Sequence, residues 1–232
     1  MKKTLSLILF TLSSLISTHI FAQTPSADKY REPDLRFSTY KIDDDYYASF
    51  SGTVNVDENI SIDATLDSSG YLEIGAAYGD LVFDIAYAEG YFNYGRTDTT
   101  DIYTVGMFAG LPLGENLMVF ANTAYDWRRT QDNLAGAGNW GLFDEEEWKN
   151  TAGLSYTVHQ WVTLSSSYNV DYLTDSPNQV DDNIATSWDA TVAFNTPWLS
   201  PYVKYSKGNY RVTPEQQRKS QDNVEIGLNF NF

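Results

Sequence analysis

The sequence predicts an all-β protein: a transmembrane, antiparallel, up-and-down β-barrel of twelve strands, with ten strands as the next choice and both termini in the periplasm. Three observations predict it. The chain starts with a segment typical of a secretory signal peptide. The rest alternates apolar and polar residues with a period of two. The connections between the alternating segments are short and long in turn, as in barrels that cross a membrane.

The N-terminal segment has a positive end, a mainly apolar stretch at 5–20 and then the polar residues that follow Ala22. Serine and threonine interrupt the apolar stretch, so it falls short of the roughly 20 apolar residues that a membrane-spanning helix needs. We therefore expect a signal peptide at 1–22 that is cleaved after Ala22, a periplasmic segment at 23–33 and a barrel at 34–232.

Composition narrows the function classes. The chain has a formal charge of −16 and no cysteine. Nucleic acid is not expected as a partner, because its phosphates are bound by clustered Lys and Arg. The lack of cysteine excludes disulfides and thiolate metal sites, and no metal or cofactor is expected. The mean hydropathy of −0.38 suits a barrel that shows lipid only every second side chain.

Alternation with a period of two marks strands, because successive side chains point to opposite faces. Twelve segments show it, the first most weakly: 35–42, 46–56, 60–67, 72–78, 81–87, 101–111, 117–128, 146–158, 161–172, 186–195, 200–210 and 222–232.

Connections after the even segments are brief, including a predicted two-residue turn at Gly79–Asp80. Those after the later odd segments are longer, at 95–100, 129–145, 173–185 and 211–221. Short turns on the periplasmic side and long outer loops are typical of transmembrane barrels. The first two outer connections are short, so they do not contribute to the pattern.

Aromatic residues are expected in two girdles at the membrane surfaces. The predicted outer ends of strands carry Tyr125, Trp127, Trp148, Tyr172 and Trp188, and the predicted periplasmic ends carry Tyr78, Trp161, Phe194 and Trp198. The alternative is a soluble β-sandwich, which also alternates. A sandwich needs neither matched aromatic bands nor alternating connection lengths.

The last segment alternates apolar residues and ends on Phe232, with Phe230 and Leu228 at the preceding alternate positions. It resembles the C-terminal strand of Gram-negative outer-membrane β-barrels, which the barrel assembly machinery recognises. The resemblance implies insertion by that machinery, with these three residues as the assembly signal, and a location in the outer membrane beside lipid and lipopolysaccharide.

In size and strand count the chain is similar to the small, twelve-stranded, monomeric porins that include oligogalacturonate and sialic-acid channels. The resemblance implies a monomeric channel for small solutes. No residue motif assigns the chain to one family. Channels for acidic sugars in that group line their pores with arginine, whereas the inner face here is predicted to be acidic, so their substrate is not carried over.

With the apolar faces toward lipid, the polar faces point inward. The residues predicted to line the lumen are Asp63, Asp67, Glu73, Asp84, Asp126, Arg128, Glu147, Lys149, Asp171, Asp189, Lys204 and Glu225, together with Arg36. Charged side chains there require water or a partner, since Lys or Arg facing mid-bilayer lipid costs about 2–4 kcal/mol.

Small inward residues, among them Ala86, Ala88, Gly106, Gly153 and Gly227, predict space inside the barrel. The predicted function is a porin-like channel for passive diffusion of small neutral or cationic solutes through a narrow acidic lumen, because rings of carboxylates draw cations. The alternative is an interior in which acids and bases pair and close the lumen.

Other functions remain open at this point. Acidic clusters at 43–45, 144–147 and 181–182 lack the spacing of a calcium loop and are interpreted as solvated loop charge. The loop at 131–145, with glycines around Trp140, suits either an adhesin or structural role at the surface or a fold into the pore. Enzymatic activity is not expected, since His159, the one histidine outside the predicted signal peptide, lies in a predicted periplasmic turn.

Overall fold

The computed structural model describes residues 34–42, 45–131, 144–177, 183–210 and 219–231. Within these ranges there are twelve β-strands: β1 (Asp34–Ile42), β2 (Asp45–Asp57), β3 (Ile60–Asp67), β4 (Leu72–Val82), β5 (Ala86–Arg96), β6 (Thr100–Pro112), β7 (Leu117–Thr130), β8 (Glu145–His159), β9 (Val162–Asp175), β10 (Ile184–Phe194), β11 (Leu199–Tyr210) and β12 (Lys219–Asn231). No helix in the described ranges is long and apolar enough to span a membrane.

Each strand pairs antiparallel with its neighbours in sequence, and β1 pairs with β12 to close the barrel. The predicted closed, twelve-stranded antiparallel barrel is therefore confirmed. The end with the connections after β2, β4, β6, β8 and β10 is called here the turn end, and both termini of the barrel lie there. The opposite end, called the loop end, carries the three longest connections, at 131–144, 176–183 and 211–218, whereas its connections after β1, β3 and β5 are as short as those at the turn end.

The distribution of side chains is the reverse of that in a soluble protein. Most large apolar side chains on the strands are exposed, for example Ile62 at 46% and Ile226 at 56%, whereas buried positions include many polar and charged residues. In β3 the alternation is complete, with apolar residues outward and Ser61, Asp63, Thr65 and Asp67 inward. Such a barrel presents an apolar exterior and a polar interior.

The predicted turn at Gly79–Asp80 is wrong. β4 continues to Val82, and the chain reverses at Phe83 and Asp84, which have φ angles of 54° and 55°. The connection has three residues, because Val82 pairs with Ala86, and the Ile85 N–H donates to the Val82 carbonyl at 3.2 Å. A reversal at Gly79 would leave strands of about seven residues, shorter than the roughly nine that cross a bilayer.

Moving this turn reverses the faces of β5, because one residue of shift exchanges the two sides of a strand. Ala86 and Ala88, predicted to point inward, lie on the outward face, while Tyr87 is buried inside. Asp84 lies in the exposed turn and does not line the lumen.

Candidate functional site: the lumen

All of the predicted lining residues except Asp84 lie on the inward face of a strand, as judged by alternation and burial. Sequence reasoning missed three inward carboxylates, Asp34, Glu89 and Glu145. The inward acids of the described residues are Asp34, Asp63, Asp67, Glu73, Glu89, Asp126, Glu145, Glu147, Asp171, Asp189 and Glu225, and the inward bases are Arg36, Arg128, Lys149 and Lys204. These groups divide into a buried set and a water-facing set.

The buried set is centred on Arg128 of β7. Its Nη2 donates to Glu147 at 2.9 Å and its Nη1 to Glu145 at 3.2 Å, while Asp126 lies 3.6 Å from Nη2. Lys149 forms a further ion pair with Asp126. The Arg128 side chain is only 4% exposed.

Neutral donors add two hydrogen bonds to the network. The Thr104 hydroxyl donates to Asp126 at 2.8 Å, and the Ser176 hydroxyl donates to Glu145 at 3.0 Å. Ion pairs removed from water need such additional hydrogen bonds to offset the loss of hydration. The network therefore fills one side of the barrel, and its charges largely compensate each other within the wall.

A smaller polar cluster lies on β9 and β10. The Asn169 amide donates to Asp189 at 2.8 Å and to Ser187 at 2.9 Å, and the Ser167 hydroxyl donates to Asp189 at 3.3 Å. Lys204 lies 3.9 Å from Asp189. Asp189 is thus held mainly by neutral donors, with its cation at the outer limit of an ion pair.

Four inward carboxylates each accept a hydrogen bond from a tyrosine. The pairs are Tyr40–Asp67 at 3.1 Å, Tyr71–Glu73 at 2.5 Å, Tyr87–Glu89 at 2.6 Å and Tyr202–Glu225 at 2.5 Å. A tyrosine hydroxyl orients a carboxylate without neutralising it, because phenol carries no charge. Tyr71 precedes β4, and burial together with the Glu73 carboxylate raises the pKa of its hydroxyl well above the ordinary value, so it stays a donor.

The water-facing set is predominantly acidic. The charged inward side chains that are half-buried rather than buried are Asp63, Glu73, Glu89, Asp171 and Glu225 among the acids and Arg36 and Lys204 among the bases. On β2 to β6, every charged side chain that points inward from a described position is an acid. A solute inside the barrel would therefore meet an acidic wall on that side.

Asp63 lies in the middle of this acidic wall. Both of its carboxylate oxygens lie close to Gly75 on β4, as does the Asn93 amide oxygen from β5. The charges acting most strongly on Asp63 are those of Glu73 and Glu89, which are also negative. The field at this point of the wall is therefore one that attracts cations.

Much of the space expected beside the inward glycines is filled by aromatic rings. A Cβ atom at Gly106, Gly153 or Gly227 would lie less than 3.0 Å from a ring atom of Tyr91, Phe120 or Tyr202, respectively. The prediction of open space at these three positions is therefore wrong, because small residues there accommodate a neighbour's ring lying along the wall.

An apolar cluster lies inside the barrel near the turn end. Tyr87, Phe108, Met118 and Phe120 are all buried, with ring centroids 6.3 Å apart for the first two residues and 6.2 Å for the two phenylalanines. The reversal of the β5 faces hid this cluster from sequence reasoning. It narrows the turn end on the β5 to β7 side.

The interpretation of the acidic cluster at 144–147 as solvated loop charge is wrong for Glu145 and Glu147, which are buried beside Arg128. Among the described residues, no group of three or more His, Asp or Glu side chains is arranged to hold a metal ion. The acidic residues 43–44 and 181–182 and most of the 131–145 loop lie outside the described residues. His159 ends β8 beside the turn to β9 and is exposed, with its Nδ1 accepting from the Trp161 N–H at 3.4 Å.

No protein-family model matches the chain, and no curated protein matches it in sequence. Solved structures do share its fold. The NanC porin aligns with a TM-score of 0.71 and 13% identity over 86% of this chain and 100% of that chain. The KdgM porin in complex with disordered oligogalacturonate aligns with a TM-score of 0.60 and 13% identity over 87% and 99%.

An outer-membrane channel from Pseudomonas putida F1 aligns with a TM-score of 0.57 and 12% identity over 91% of this chain and 98% of that chain. The resemblance to small twelve-stranded porins is thus confirmed at the level of the fold. Function belongs to the site rather than to the fold, so what this chain does has to be argued from its lumen.

Proposed function

We propose that this chain forms a porin-like channel in the outer membrane, through which small neutral or cationic solutes diffuse passively. The observation that carries the proposal is the water-facing acidic wall, which has no inward base on the described parts of β2 to β6. Carboxylates along a pore draw cations and repel anions. The resulting selectivity is expected to be weak, because Arg36 and Lys204 also face the water.

The exterior supports a location in lipid. Apolar side chains cover the outward face, and exposed aromatic residues lie near both ends, with Trp148 and Trp188 toward the loop end and Trp161 and Trp198 toward the turn end. Aromatic girdles at the two levels of the headgroups are typical of transmembrane barrels. A soluble barrel with this exterior would aggregate.

We propose further that the loop end faces outward and the turn end faces the periplasm. Outward-facing bases on the described strands lie at the loop end, at Lys41, Arg96, Arg129 and Lys207, where they suit the phosphates of lipopolysaccharide. The charged groups of the short turns at the turn end are acids: Asp57, Glu58, Asp84 and Glu115. This orientation also places both termini of the barrel in the periplasm.

A monomer is the oligomeric state we propose, because polar groups on the lipid face find partners within the chain. The Thr123 hydroxyl donates to Asn150 at 2.9 Å, and the Trp188 indole donates to the Ser166 hydroxyl at 2.7 Å. A polar group satisfied in this way needs no second subunit to offset its transfer into lipid. For insertion we propose the barrel assembly machinery, with Leu228 and Phe230 on β12; Phe232 lies outside the described residues.

The competing function is a non-conducting barrel with a structural or adhesive role. It is favoured by the Arg128 network, which is buried and fills one side of the interior. The water-facing set argues against full closure, since those side chains remain accessible on both β3 to β5 and β11 to β12.

Recordings in planar bilayers across a KCl gradient would test the proposal. The wild-type chain should conduct, with a reversal potential on the cation-selective side. The double variant Asp63→Asn/Glu225→Gln should move the reversal potential toward zero, whereas Asp84→Asn, which removes a carboxylate outside the lumen, should leave it unchanged. No conductance, or anion preference in the wild type, would refute the channel proposal.

A further inference from the structure

Tyr91 on β5 lies across the backbone of β6. It is paired with Gly106 in the β5–β6 register, and both residues face inward. A Cβ atom at Gly106 would lie less than 3.0 Å from two ring atoms and the hydroxyl oxygen of Tyr91. The ring therefore rests on the glycine, and its hydroxyl reaches past β6 to donate to the Asn122 side chain on β7 at 3.0 Å.

The same arrangement occurs with Tyr202 on β11 and Gly227 on β12, which are also register partners. A Cβ atom at Gly227 would again lie less than 3.0 Å from two ring atoms and the hydroxyl oxygen. The Tyr202 hydroxyl donates to Glu225 at 2.5 Å, and the Arg36 guanidinium lies 5.6 Å from the ring centroid. The ring is thus in contact with the Gly227 backbone and within cation–π distance of Arg36.

The two pairs lie on opposite sides of the lumen. In the closed ring of twelve strands, β5 and β11 are six positions apart, as are β6 and β12. Two bulky side chains that lie flat on opposite walls leave the width between them open. The same rings turned away from the walls would reduce that width from both sides.

We propose that Tyr91 and Tyr202, seated on Gly106 and Gly227, set the bore of the lumen and hence the size limit for solutes. This inference rests on the channel function proposed above. A side chain at either glycine would lift the ring off the wall and toward the lumen, because the glycine backbone is part of the wall. The clash involves the far end of a tyrosine side chain rather than backbone, so the barrel should still fold.

The test compares single-channel conductance for Gly106→Ala, Gly227→Ala and the control Gly90→Ala. Gly90 is on the outward face of β5, where an added Cβ meets no atom within 4 Å. We expect each inward variant to conduct at about half the wild-type value, because a displaced ring takes up a large part of a narrow pore. Gly90→Ala should conduct as the wild type does, and Gly106→Ala/Tyr91→Ala should recover or exceed the wild-type conductance.

Crystal structures of the wild type and of Gly106→Ala give a readout that needs no current. The variant should show the Tyr91 hydroxyl beyond hydrogen-bonding distance of Asn122, with the ring in the lumen. Unchanged conductance in a folded Gly106→Ala barrel, or a Tyr91 ring that stays on the wall, would overturn the inference. If the wild type carries no current but the Tyr91 ring is displaced in Gly106→Ala, the channel proposal is overturned. The seating of the ring on the glycine would still hold.

Discussion

Arg128 and Glu147 form a 2.9 Å ion pair between adjacent strands inside the barrel wall, with both side chains almost completely shielded from water. The same guanidinium also contacts Glu145 and Asp126. Removing Arg128 would take away the cation that three neighbouring carboxylates share, while Lys149 would still pair with Asp126. Breaking a buried ionic network on one side is costly, because the remaining charges lose their compensation.

We therefore predict that Arg128→Met lowers the free energy of unfolding by about 3–5 kcal/mol. Urea unfolding of the barrel in lipid vesicles, followed by tryptophan fluorescence, would measure the change. The matched control is Arg96→Met, since Arg96 is 54% exposed and lies 3.6 Å from Asp101. Exposed pairs of that kind contribute about 1 kcal/mol or less, so equal losses in the two variants would contradict this account.

Substitutions in the β4–β5 turn should stabilise the barrel. Phe83 has a φ angle of 54°, a conformation that bulky residues adopt only with strain. Asparagine and glycine adopt positive φ with less strain than phenylalanine and aspartate do, so Phe83→Asn/Asp84→Gly should raise the free energy of unfolding by about 1 kcal/mol. Asp84→Asn alone should have little effect, and a lower urea midpoint for the double variant would contradict the prediction.

The same turn shows where sequence reasoning ends. β3 was predictable because large apolar residues alternate with polar ones along its whole length. β5 was not, because its outward face begins with Ala86, Ala88 and Gly90, which give no apolar signal. The strained Phe83 also occupies a position where turn chemistry would suggest glycine or asparagine. These two features explain why Asp84 was wrongly predicted to line the lumen and why Glu89 was omitted.

The Arg128 network could be predicted only in part. Alternation placed Asp126, Arg128, Glu147 and Lys149 on inward faces, but the pairing of β7 with β8 follows a connection at 131–144 whose length does not determine the register. Glu145 faces inward with Glu147 by the same alternation, and it was missed because the predicted strand began at 146. Side-chain contacts across strands depend on such details, which periodicity alone does not contain.

A substitution at Gly153 should destabilise the barrel through a clash with backbone. An added Cβ would lie less than 3.0 Å from the Ser166 backbone carbonyl as well as from the Phe120 ring. Since backbone cannot move aside as a tyrosine ring can, Gly153→Ala should destabilise the barrel by about 1–3 kcal/mol through overpacking. Gly90→Ala, measured by the same urea titration, should be neutral or slightly stabilising. A neutral Gly153→Ala would show that β8 and β9 are less closely packed than described.

The proposed orientation can be tested directly, because the chain has no cysteine to interfere with labelling. Ser69 is exposed between β3 and β4 at the loop end, and Asp84 is exposed in the β4–β5 turn at the turn end. A maleimide that cannot cross the outer membrane should label Ser69→Cys in intact cells but not Asp84→Cys. Both variants should label equally after the outer membrane is permeabilised, which controls for reactivity. Labelling of Asp84→Cys alone in intact cells would show that the barrel has the opposite orientation, with both of its termini on the outside.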